Sequence, residues 1–110
     1  MENAEPEDFE IDINTDASPA VVSVRGEVDI HTAPRLRERL LEVADHNAGR
    51  AVLDLTSVGF MDSTGVGVVV GVLKRFRSHS GGDLLLRLPE GRARRRFEIM
   101  GLDKIFTIER

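Results

Sequence analysis

Near the start of the chain, Phe9, Ile11 and Ile13 alternate with Glu10, Asp12 and Asn14. That period of two predicts a half-buried strand. The NTDASP run at 14–19 is built from turn-forming residues. AVVSVRG at 20–26 then predicts a second strand ending at Gly26. So short a link implies an antiparallel pair. The period changes next: Leu36, Leu40, Leu41, Val43 and Ala44 recur at helical spacing. Thr32 is placed to cap that helix, and Pro34 falls in its first turn, where a missing N–H costs little. Gly49 marks the stop. RAVLDL at 50–55 is a nearly continuous apolar run, expected for a strand buried on both faces.

GFMDSTGVGVVVG, residues 59–71, is ambiguous by composition, because valine favours strands and glycine weakens helices. The spacing of Val66, Val69, Val70, Leu73 and Phe76 predicts a helix from about 64 to 79, preceded by a loop. Basic residues at its far end suit the helix dipole. DLLLRL at 83–88 predicts another strand. PEGRARRRFEIMGL at 89–102 predicts a helix with Ala93, Phe97 and Met100 on one face, closed by a left-handed Gly101 with Leu102 packed beyond it. KIFTIER at 104–110 reads as a last short strand. The expected fold class is therefore α/β. It has one domain, a mixed sheet of four to five strands with an N-terminal antiparallel hairpin, and three or more helices joined by right-handed crossovers.

At 110 residues the chain is expected to form a single domain with one modest core. Cysteine is absent, which excludes disulfides, zinc–cysteine sites and thiol catalysis. MENAEPEDFE lacks the basic and apolar regions of a signal peptide, and no apolar run approaches the roughly 20 residues of a membrane span. A cytoplasmic protein that engages no membrane is the expectation. The net charge is -4, and residues 1–16 hold seven acids with no Lys or Arg, leaving twelve acids facing fifteen bases elsewhere. Residues 1–7 are expected as an acidic, solvated tail and residues 8–110 as the domain.

The chemistry concentrates around Asp62. An aspartic protease loop needs Asp-Thr-Gly or Asp-Ser-Gly and a second carboxylate, but one residue too many separates Asp62 from Gly65. A serine hydrolase elbow needs glycine where Met61 stands. Gly65, Gly67 and Gly71 fit neither a Walker loop nor the dinucleotide fingerprint, although a helix start can hold an anion weakly. Capping is the plain account of Asp62, Ser63 and Thr64. Gly67, Val68, Gly71 and Arg75 fall opposite the expected buried stripe. They form either a smooth surface for an outside body or a seat for a neighbouring helix of the same chain. Arg92, Arg94, Arg95 and Arg96 form a basic cluster without stacking groups, read as a solvated helix face and not a nucleic-acid site. His31, His46 and His79 show no metal-ligand spacing.

GEVDIHTAPRLRERL, AVLDLTSVGFMDSTGVGVVVGVLKR and RRRFEIMGLDKIFTI resemble, in order and spacing, the bacterial anti-sigma factor antagonists, which are STAS domains. The resemblance runs from about residue 8 to 108, and FMDSTG is its most specific part. It implies a switch and not an enzyme, with no cofactor. By resemblance, Ser63 is the residue phosphorylated by a partner that is both anti-sigma factor and serine-protein kinase. Thr64 offers a second hydroxyl. The unmodified form binds that partner and frees the sigma factor, and a phosphatase resets the cycle. Asp29, Asp62, Ser63, Thr64, Gly67, Val68 and Gly71 are the expected contact residues. Other STAS assemblies are the alternative: stressosome-like, transporter-associated or lipid-transport complexes. A small-molecule or nucleotide sensor is the third reading.

Overall fold

The computed structural model describes residues 8–46, 49–78 and 81–109, and the side chains of all of these except residues 92, 93 and 96. The expected tail 1–7 and the expected helix end at 79 lie outside them. The alternating N-terminal stretch forms β1 (Glu10–Asn14), antiparallel to β2 (Ala20–Val28). Ile11 lies opposite Val24 and Ile13 opposite Val22, so the apolar positions of both strands share one face. After α1 (Ala33–His46) come β3 (Arg50–Met61), α2 (Ser63–Ser78), β4 (Asp83–Arg87), α3 (Arg92–Ile99), a short 3-10 turn (Leu102–Lys104) and β5 (Thr107–Glu109). The sheet order is β1-β2-β3-β4-β5, with β2 to β5 mutually parallel.

Val22 and Val24, Leu53 and Leu55, and Leu84 and Leu86 point from successive strands into one buried cluster. Leu36 and Leu40 of α1, Val69, Leu73 and Phe76 of α2, and Phe97 of α3 join it. Repeated right-handed crossovers to the next strand over place the helices on the same side of the sheet. Ser23, Asp54, Arg87 and Glu109 line up across the other face. There Arg87 pairs with both Asp54 and Glu109 and ties the edge strand in. No helix of the described residues is long and apolar enough to cross a membrane.

Four expectations change. β2 does not stop at Gly26 but continues to Val28. Gly26 sits inside it with φ +108, at an irregularity in the pairing with β3, and a Cβ there would stand 2.9 Å from the Asp8 carbonyl oxygen. Only glycine satisfies that backbone. β3 is twice the expected length: Val58 pairs with Gly26, Phe60 with Glu27 and Met61 with Val28. The segment read as a loop from Gly59 is therefore strand as far as Met61. The buried stripe of α2 turns toward Val72, leaving Val70 half-buried. Met100 is 48% exposed, because α3 ends at Ile99 and Gly101 reverses the chain at φ 75, which breaks the helical relation to Phe97. Leu102 packs beyond that reversal as the motif requires.

Candidate functional site

The extension of β2 and β3 carries two strand-to-helix turns to the same end of the sheet. Val28 and Met61 are paired, and the Asp62 N–H donates to the Val28 carbonyl at 3.1 Å. Residues 29–32 and the start of α2 therefore lie side by side.

In the turn from β2 to α1, the Asp29 carboxylate accepts from the His31 N–H at 2.8 Å and the Thr32 N–H at 3.2 Å. The Thr32 hydroxyl donates to the Glu27 carbonyl at 2.8 Å and accepts from the Asp29 N–H at 3.0 Å. Thr32 is 1% exposed. Its hydroxyl serves the turn behind it, so the expected cap acts backward toward the strand. The His31 N–H, against the opposing effect of desolvation and with help from Thr32, holds the Asp29 carboxyl below the usual carboxylate range.

In the turn from β3 to α2, a single residue separates strand from helix. Asp62 is the cap: its carboxylate accepts from the Gly65 N–H at 3.1 Å, and its carbonyl accepts from the Val66 N–H at 3.0 Å. Ser63 and Thr64 open α2, and both are exposed. Among the described residues, neither hydroxyl makes a hydrogen bond. One of the three capping candidates thus does the capping, and the other two hold their exposed hydroxyls over the positive end of the helix dipole.

Along α2 the two accounts of the outward side divide. Val68 is half-buried and packed against the core, and Arg75 reaches Asp45 of α1 at 2.9 Å. That side meets the neighbouring helix. Gly67 and Gly71 are exposed, and a Cβ on either would meet nothing within 4 Å. Among the described residues, their smallness serves no contact inside the domain.

Two apolar residues at this end were not singled out from the sequence. Ile30, between Asp29 and His31, is 63% exposed, and Phe60 is 45% exposed. Phe60 rims a small apolar cleft over Leu55, Leu88 and Phe97. An isoleucine inside an otherwise polar turn was the available signal for the first. For Phe60 the signal was hidden in a stretch read as loop. Of the arginine cluster, the side chains of Arg92 and Arg96 lie outside the described residues, and Arg94 departs from the expectation. The Arg94 side chain is only 14% exposed and donates to the Leu88 carbonyl at 3.0 Å, while Arg95 is exposed. Among the described residues no cluster of His, Asp or Glu could hold a metal ion.

The model of the STAS domain family matches residues 9–110. The chain belongs to the STAS domain family. An anti-sigma-B factor antagonist of Bacillus subtilis is 38% identical over 98 residues, covering 89% of this chain and 88% of the relative. One from Listeria monocytogenes is 43% identical over 89 residues, 80% of this chain and 76% of the relative. The crystal structure of an anti-sigma factor antagonist from Mycobacterium paratuberculosis superimposes with a TM-score of 0.80 at 28% identity, covering 96% of this chain and 89% of that one. This STAS domain shares the mixed sheet and N-terminal hairpin of that group.

Proposed function

We propose that this STAS domain is an anti-sigma factor antagonist of the bacterial cytoplasm, switched by phosphorylation of Ser63. The unmodified form binds an anti-sigma factor that is also a serine kinase and so releases the sigma factor. In the modifying step the Ser63 Oγ bonds to the terminal phosphorus of ATP held by the kinase. The bond from that phosphorus to the ADP oxygen breaks, and the hydroxyl proton passes to a base of the kinase. A phosphatase restores the hydroxyl by hydrolysis.

The observation that carries this reading is the exposed Ser63 hydroxyl at the first position of α2, without a hydrogen bond among the described residues. The names and the extent of the relatives support it. A phosphate there adds about 1.5 to 2 negative charges. Inside the domain that charge meets the N-terminal end of α2, which favours anions, so the fold persists. At the docking face it adjoins Asp62 and the Asp29 turn. A partner covering Asp29, Asp62, Ser63, Thr64, Gly67, Gly71 and the exposed part of Val68, with Ile30 at the rim, would have to strip water from it. Burying an uncompensated charge costs several kcal/mol, and about 4 kcal/mol weakens binding roughly a thousandfold. Calorimetric titration of the cognate anti-sigma factor tests this. Ser63→Asp is expected to bind at least tenfold more weakly than the unmodified chain, and equal affinity would reject the reading.

A further inference from the structure

Gly65 is buried at the third position of α2, where the helix leans on the end of β2. A Cβ built on it would lie 2.7 Å from the Met61 Cγ, 2.7 Å from the Val28 Cγ1 and 3.3 Å from the Val28 Cβ. Carbon atoms settle at roughly 3.5–4.0 Å, so an added methyl would demand a displacement of about 1 Å. The obstructing atoms cannot swing clear cheaply. Val28 is β-branched, fully buried and fixed in the strand ladder, and Met61 is 8% exposed with its Cγ close to the backbone. The element free to move is the first turn of α2, which carries Ser63. The Gly65 N–H is also the donor that the Asp62 carboxylate holds. The missing side chain at 65 therefore sets both the depth of the helix start and the geometry of its cap.

We infer that Gly65 is a positioning residue for phosphoryl transfer, fixing the Ser63 hydroxyl relative to the Asp29 turn through its contact with Val28 and Met61. This rests on the reading of Ser63 given above. Gly65 touches neither ATP nor the reacting oxygen. It acts by letting α2 begin close enough to β2 for the kinase to meet Ser63 and the Asp29 turn as one rigid surface. Gly67 and Gly71, which face open space, have no such duty.

The test compares wild type, Gly65→Ala, Val28→Ala and the double variant Val28→Ala/Gly65→Ala as substrates of the cognate kinase with ATP, with thermal unfolding confirming that each is folded. Misplacement of a reacting group by about 1 Å costs on the order of a hundredfold in rate. Gly65→Ala should lower kcat roughly 10- to 100-fold with KM within a few-fold. The double variant, in which Met61 can turn into the vacated space, should recover most of the loss against the Val28→Ala background. A folded Gly65→Ala chain modified as fast as wild type would overturn the inference, and so would a loss that Val28→Ala does not relieve. A wild-type chain that accepts no phosphate would instead overturn the reading of Ser63 itself and this inference with it.

Discussion

Two turns at the same end of one sheet each hand a strand to a helix, and they spend their hydroxyls in opposite ways. In the β2–α1 turn, the Thr32 hydroxyl is buried, donates to the Glu27 carbonyl and accepts from the Asp29 N–H. In the β3–α2 turn, capping falls to the Asp62 carboxylate alone, and the hydroxyls of Ser63 and Thr64 stand exposed without partners in the described structure. Both turns carry an aspartate and a hydroxyl side chain at a helix start, which is the composition of a cap. A hydroxyl consumed by backbone groups belongs to the fold. One relieved of that task by a neighbouring carboxylate is available to another molecule.

Exchanging hydroxyl for methyl in the two turns sharpens the contrast most. Thr32→Val leaves the Glu27 carbonyl and the Asp29 N–H without their partner in a buried site, which costs about 1–3 kcal/mol. Ser63→Ala removes no bond and should stay within about 0.5 kcal/mol of wild type. Urea denaturation monitored by circular dichroism checks both. Asp62→Ala should cost about 1 kcal/mol, the usual worth of an N-cap, read in the same way. Gly71→Ala should stabilise the domain by up to about 1 kcal/mol, because alanine favours the helix and its methyl meets nothing. The same methyl should weaken binding of the anti-sigma factor in calorimetry.

The smallest effect concerns acid. Asp29 is ionised more readily in the folded domain than at its ordinary value of 3.8, chiefly through the His31 N–H. Its contribution to stability is fully present above that value and is lost as pH falls through the lower folded value. The stability difference between wild type and Asp29→Asn should therefore be constant near neutrality and shrink below pH 3.8.

Much of this contrast was legible in the chain. The periods of β1, α1 and α2 gave the layers, and FMDSTG pointed to Ser63. The division of labour within the second turn was not legible, since Asp62, Ser63 and Thr64 are equally competent caps by type. The length of β3 was hidden because TSVGF looks like a loop until an extended β2 lies beside it. That extension depends on Gly26 adopting a positive φ within the strand. Met100 belongs to the helical face of Phe97 by spacing alone, and α3 ends one residue before it. The side of α2 that meets α1 depended on where α1 lies, which Arg75 and Asp45 reveal only once the fold is assembled.

The most direct test of the central claim is to incubate the chain with ATP and its cognate anti-sigma kinase and locate the phosphate by tandem mass spectrometry. The account predicts one phosphate, on Ser63, lost in Ser63→Ala, kept in Thr64→Ala, and never found on Thr32. A phosphate on Thr64 in the wild-type chain, or none with a kinase shown to be active, would contradict it.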